Sequence, residues 1–149
     1  MRLILQTANV TADAKNCSYP NKVTVTNASE LQEAVKSTFA SMEEEPGMYM
    51  SKVFSIRAAK SGTYIYDYNT PCLIVTANKI GYGNAMADCA CALENMMLAA
   101  NELDMGSVWI NQLRWLAEEE QIVTAMRELG MAEDEIVCGA LAIGWPATE

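Results

Sequence analysis

The chain has 149 residues, 51% apolar and 19% charged, a composition that fits one globular domain with a real core and excludes a disordered chain. A net charge of −9 leaves no basic patch to displace counterions, so neither nucleic acid nor an anionic membrane is an expected partner. The chain contains no histidine, which removes Ser-His-Asp and Cys-His catalysis and most zinc sites; no metal is expected.

The opening "MRLILQTANV" carries one arginine and an apolar run too short for a signal-peptide core, and no run approaches the roughly 18 apolar residues of a membrane span. Five cysteines (Cys17, Cys72, Cys89, Cys91 and Cys138) form an odd set without framework spacing, which fits a reducing, cytoplasmic setting. "MRLILQTA" reads as the end of a helix, 11–22 as a polar loop, and "KVTVT" (22–26) as a β-branched strand. A helix is predicted from Asn27-Ala-Ser-Glu30 to about residue 40, capped by Asn27 or Ser29. After the break "MEEEPG", a second helix spans 48–61 and ends at Gly62. "GTYIYDYNT" fits neither period. "PCLIVTAN" (71–78) is a continuous apolar run, read as a strand buried on both faces.

The longest predicted element is the helix 84–103, "NAMADCACALENMMLAANEL", whose apolar residues nearly encircle it. A surface of that kind needs cover on most sides, and its alanines allow close helix approach, so a second copy of the chain is the expected partner. The connector "DMGSVWINQ" is apolar where loops are normally polar. A helix with early acids and a late Arg127 follows over 114–130, closed by Gly130, and 136–144 is a last buried strand. The whole reads as a single α+β domain, residues 1–149, with a central mixed sheet of 22–26, 71–78 and 136–144 and helices on both faces.

Few residues carry chemistry of their own. Cys89 and Cys91, two apart on a helix, diverge by about 200° and cannot share a metal; they read as small core fillers. Asp88 is either part of a polar stripe or a buried carboxylate orienting a site. A site without acid–base residues can still support redox chemistry if a cofactor carries the reactivity, and a flat aromatic cofactor needs an apolar slot with a few backbone N–H groups. That requirement gives the apolar connector a reason, with Trp109 either a ring contact or a plug between helix ends.

From "PCLIVTAN", through "MADCACALENMMLAANELDMGSVWI", to "RELGMAEDEIVCGALAIGWP", the chain resembles the C-terminal two-thirds of the nitroreductase family of flavoproteins. The features shared are the Pro-led strand, the helix ending in Leu-Ala-Ala, the Gly-Ser-x-Trp-Ile connector and the strand ending in Gly-Trp-Pro. Upstream, "ANVTADAKNCSYPNKVTVTNASEL" resembles the family loop A-P-S-x-x-N-x-Q-P-W, of which Asn16 and the surrounding pattern survive. The match runs over about residues 3–146.

The resemblance implies an intertwined homodimer through helix 84–103 and an FMN-dependent NAD(P)H oxidoreductase. Hydride would pass through the flavin to a nitroaromatic, a quinone or a similar flat acceptor in alternating half-reactions. It implies that Ser107, Val108, Trp109, Ile110, Asn111 and Gln112 lie against the flavin ring, with the backbone N–H of Asn111 or Gln112 on flavin N5. The loop of Lys15, Asn16, Cys17 and Ser18 would reach the same flavin, across the dimer. Two departures set up the alternative. The family's Arg-Arg-Ser-x-Arg helix and its basic tail beyond Gly-Trp-Pro, which grip the phosphate, have no counterpart in a sequence ending Ala147-Thr148-Glu149. Lys15, with Arg57 and Lys60 as substitutes, is then the expected grip, and the rival reading is a non-catalytic relative that binds flavin weakly or not at all and serves as an interaction module.

Overall fold

A computed structural model of the chain describes residues 22–26 and 28–146. Four strands, β1 (Lys22–Thr26), β2 (Cys72–Lys79), β3 (Gly106–Ile110) and β4 (Glu135–Gly144), make one sheet in the order β1-β2-β4-β3. The helices are α1 (Ser29–Ser41), α2 (Met50–Lys60), α3 (Ala85–Glu102), α4 (Gln112–Trp115) and α5 (Glu120–Glu128). The α+β architecture with helices on both faces is as the sequence implies. All three strand pairings are antiparallel, however, so these four strands do not make the expected mixed sheet. The solid apolar runs of β2 and β4 come from cover on both faces, which erases the alternation that antiparallel strands usually show.

Side chains alternate across that double cover. Leu73, Val75, Ala140 and Ala142 face the helices α1, α2, α4 and α5, where Leu31, Phe39, Ile56, Leu113 and Ile122 close the larger core. Ile74, Leu141 and Ile143 face α3, which buries Ala92, Leu93, Met96 and Ala100 against them. Leu93 and Met96 are fully buried, each stabilising the pairing by roughly 1.5–3 kcal/mol. The opposite side of α3, Ala87, Cys91, Glu94, Leu98 and Asn101, is exposed in the single chain.

Three local expectations change. The apolar connector is not a loop but the edge strand β3, paired to β4 from Gly106–Gly144 to Ile110–Ala140. The helix expected over 114–130 is two helices, α4 and α5, because Leu113 and Ile122 both belong to one core; nine residues apart on a single helix, they would point about 180° apart. Helix α1 starts at Ser29 after Ala28, with no side-chain cap, and Asn27 lies outside the described residues. Gly130 closes α5 as expected: it sits at φ +96° and donates to Arg127 O while Met131 N–H reaches Met126 O, the paired bonds of a left-handed helix end.

One irregularity interrupts the sheet. Thr76 pairs with Gly139 but Ala77 pairs with Val137, so Cys138 is an extra residue in β4 with no partner across the ladder. Such a bulge re-aims its side chain, and Cys138 packs on the α3 side with Cys89 and Ala85.

Candidate functional site

Strand β3 carries two different surfaces. Ile110 is fully buried in the larger core and Val108 is 40% exposed. Trp109 points the other way and packs, half-buried, against the α3 cluster. The ring lies close over Gly139, where an added Cβ would stand 3.1 Å from Trp109 Cζ2 and 2.8 Å from Leu93 Cδ1. Trp109 Nε1–H donates to Asn111 Oδ1 at 2.9 Å, so the indole also holds the residue that precedes α4. The first N–H groups of any helix have no carbonyl four residues back to meet. Those of α4 begin at Gln112.

The segment 61–71 borders the same edge of the sheet. Gln32 clamps it as a strand would: its Nε2 donates to Tyr64 O at 2.7 Å and its Oε1 accepts from Tyr66 N–H at 3.3 Å. Tyr64 and Tyr66 are buried, their hydroxyls donating to Ser55 Oγ at 2.9 Å and to Ala28 O at 3.3 Å. Burial holds the Tyr64 phenol above its ordinary pKa, opposed in part by hydrogen bonds with Ser55 and Gln112. Burial, with the Asp67 carboxylate beside it, does the same for Tyr66. Both remain neutral donors. The chain then turns sharply. Tyr68 and Asn69 both sit at φ +56°, a left-handed conformation that asparagine tolerates and tyrosine rarely adopts. Asp67 Oδ1 accepts from Asn69 N–H at 2.9 Å, and Thr70 Oγ1 donates to Ile143 O at 2.7 Å, fastening the turn to β4. The Tyr68 side chain is left 70% exposed.

Three recesses flank this turn among the described residues, and two of them reach β3 or α4. One, of about 340 Å³, is lined by Asp67 to Pro71, Gly106 to Val108, Ala142, Gly144, Trp145 and Pro146. The other, of about 250 Å³, is lined by Phe54, Ala58, Thr63 to Tyr66, Tyr68 and Gln112. Tyr68 lines both, and the two recesses together make a trough in two parts, one at the start of β3 and one at the start of α4. Its walls include flat side chains (Tyr68, Tyr64, Phe54, Trp145), and its one charged lining residue among those described is Asp67.

The sequence-predicted residues divide accordingly. Ser107, Val108 and Gln112 line the trough, Asn111 adjoins it, Ile110 lies in the core beneath, and Trp109 faces α3. Lys15, Asn16, Cys17 and Ser18 lie outside the described residues. Arg57 and Lys60 are engaged elsewhere: Arg57 makes a two-pronged contact with Glu44 at 2.8 and 2.7 Å, and Lys60 pairs with Glu43 at 3.1 Å. Cys89 is buried and Cys91 exposed, as opposite sides of a helix require. Sequence reasoning missed Tyr64, Tyr66, Asp67, Tyr68 and Thr70. The every-other-residue tyrosines of "YIYDY", followed by the turn formers Asp and Asn, were the available signal.

Comparison with known proteins places these observations. The model of the nitroreductase family matches residues 1–145. A protein of Archaeoglobus fulgidus named for NADH dehydrogenase and NAD(P)H nitroreductase activity is 36% identical over 73 residues; the match spans 48% of this chain and 40% of that relative's length. The crystal structure of a Bacteroides fragilis nitroreductase with bound FMN superposes with a TM-score of 0.84 at 28% identity, over 98% of this chain and 75% of that one. A Desulfitobacterium hafniense nitroreductase with bound FMN gives 0.72 at 19% identity, over 100% and 80%. Among the described residues no helix is long and apolar enough to cross a membrane.

Proposed function

The chain belongs to the nitroreductase family, and on that premise we propose that it is an FMN-dependent NAD(P)H oxidoreductase. FMN, when bound, would supply a ring able to take one hydride, two electrons, from a nicotinamide and pass two electrons to an acceptor. The observation that carries the reading is the trough: two recesses that share Tyr68 in their linings, with Ser107 and Val108 in one and Gln112 in the other. Its flat walls suit a planar ring, and the backbone N–H of Asn111 or Gln112 is the donor we assign to flavin N5.

The protein's share of the work is then positioning and exclusion of water rather than proton transfer, which is how a chain without histidine can be an enzyme. Tyr64 supports Gln112 through its neutral hydroxyl. The Gln112 end of the trough has no charged lining residue among those described, which favours an uncharged flat acceptor such as a nitroaromatic or a quinone. Lys15, Asn16, Cys17 and Ser18 are assigned to the same cofactor from a partner subunit. The homodimer we propose uses the exposed stripe of α3, where Leu98 is 59% exposed between small or polar neighbours.

A second reading has one observation behind it: no Lys or Arg lines the trough among the described residues. A chain that does not grip the phosphate would hold FMN weakly and serve as a binding module. Each charge-assisted bond to phosphate contributes on the order of 1.5–3 kcal/mol, so one such bond already separates FMN from riboflavin by more than tenfold. Titrating the protein with FMN and with riboflavin, followed by flavin fluorescence, therefore tests both readings. Binding of FMN with NADH- or NADPH-dependent reduction of a quinone is the expected result. No response to either flavin at high micromolar ligand would sink the enzyme reading.

A further inference from the structure

The buried pair Cys89 and Cys138 has no part in the trough. Each is 1% exposed, and they meet across the interface between α3 and the bulge of β4, with Ala85 beside them and Tyr82 packed over them. The bulge inserts Cys138 as the residue without a ladder partner and turns it towards α3, where Cys89 stands opposite. The Cys89 thiol hydrogen-bonds to the Cys138 sulfur, and Cys138 Sγ lies 3.6 Å from Ile136 O, which accepts from it.

We propose that Cys89 and Cys138 are a two-electron dithiol, which a hydroperoxide converts reversibly into an internal disulfide tying α3 to the β4 bulge. The Cys138 sulfur attacks the terminal oxygen of the peroxide, the O–O bond breaks, and the alcohol (water, for hydrogen peroxide) leaves with a proton, giving the sulfenic acid. The Cys89 sulfur then attacks that sulfenic sulfur. The S–O bond breaks, water leaves, and the disulfide forms; two thiols and one peroxide give one disulfide, one alcohol and one water. The division of roles follows from the surroundings. The hydrogen bond from Cys89, with Arg114 nearby, holds the Cys138 thiol below its usual pKa and so favours the attacking thiolate, while the same contact and burial push Cys89 up. Neither the pair nor its chemistry depends on a bound flavin.

The test uses the whole chain, reduced and desalted, exposed to hydrogen peroxide, then denatured, alkylated and digested without reductant for mass spectrometry. The expected product is the Cys138 peptide joined to the Cys89 peptide, lighter by two hydrogens and separated again by dithiothreitol. Because Cys89 and Cys91 share a peptide, Cys91→Ser is treated in parallel and gives the same cross-link. The proposal is overturned if Cys89 and Cys138 are both recovered alkylated at a peroxide dose that oxidises the exposed Cys91. It is equally overturned by a bond to Cys17, Cys72 or Cys91 in their place, or by a product that dithiothreitol does not reverse.

Discussion

Trp109→Ala separates a structural tryptophan from a ligand-contacting one. The indole packs against the α3 cluster and lies close over Gly139, but it is only half-buried. Full truncation of a core tryptophan costs about 3–5 kcal/mol. Scaled for partial burial, and adding the lost bond to Asn111 at 2.9 Å, the cost is about 2–4 kcal/mol. With a urea slope near ~2 kcal/mol per molar, that moves the unfolding midpoint down by about 1–2 M. Protein concentration must be held fixed, because a dimer's midpoint depends on it. Trp109→Phe keeps an aromatic ring but removes the N–H donor and the benzo-ring atoms nearest Gly139, so it costs about 1–2 kcal/mol, less than the alanine. A Trp109→Ala protein that loses less than about 1 kcal/mol yet no longer binds flavin would refute this reasoning and make the indole a wall of the cofactor site.

Gly139→Ala should destabilise by about 1–3 kcal/mol in the same assay, since its Cβ would meet Leu93 at 2.8 Å and Trp109 at 3.1 Å; an unchanged midpoint would mean that both side chains yield freely. Leu98→Glu places a charge in the exposed stripe of α3 and should give a monomer in sedimentation velocity, whereas a persisting dimer would exclude this face. The raised pKa of Tyr66 means that the folded chain keeps a proton the unfolded chain loses. Stability should therefore hold below the ordinary phenol value of about 10 and fall as pH rises past it. Tyr66→Phe should flatten that fall while costing about 0.5–1.5 kcal/mol at neutral pH for the lost bond to Ala28 O; an unaltered alkaline slope would disprove the assignment.

The elements that were legible in the sequence are those whose burial writes a strong pattern. The strand expected over 71–78 is observed at Cys72–Lys79, the helix over 84–103 at Ala85–Glu102, and the strand over 136–144 at Glu135–Gly144. Strand β3 was not legible because an edge strand of five residues shows no complete alternation: Trp109 is as apolar as its neighbours Val108 and Ile110, although it faces the other way. The split between α4 and α5 was hidden for the opposite reason. Good helix formers run through Leu116 to Glu120, so propensity favours one helix, and only the core decides that Leu113 and Ile122 must point the same way. At the site, Ser107, Val108 and Gln112 were found through their segment. The wall built by Tyr64 to Thr70 was not, because its side chains converge through a turn that no helical or strand period describes.

That turn and the bulge at Cys138 are two places among the described residues where the chain breaks local rules, the turn beside the start of β3 and the bulge beyond its end. A tyrosine at φ +56° is strained by roughly 1–3 kcal/mol and persists only where its surroundings over-determine it. Here they do: Gln32 fixes the residues before it, the Asp67 carboxylate holds the residue after it, and Thr70 ties the exit to Ile143. The result is a tyrosine held outward at the junction of two recesses, a placement that a relaxed extended residue would not give. The bulge has a parallel effect on β4, bringing Gly139 under the Trp109 ring and, through Asn111, setting the start of α4. Regular strands and helices supply the rigid frame; the turn sets Tyr68 between the two recesses, and the Trp109 bond to Asn111 fixes the residue before α4. A strained tyrosine held where two recesses meet is the kind of local departure that a binding site gives a reason to keep.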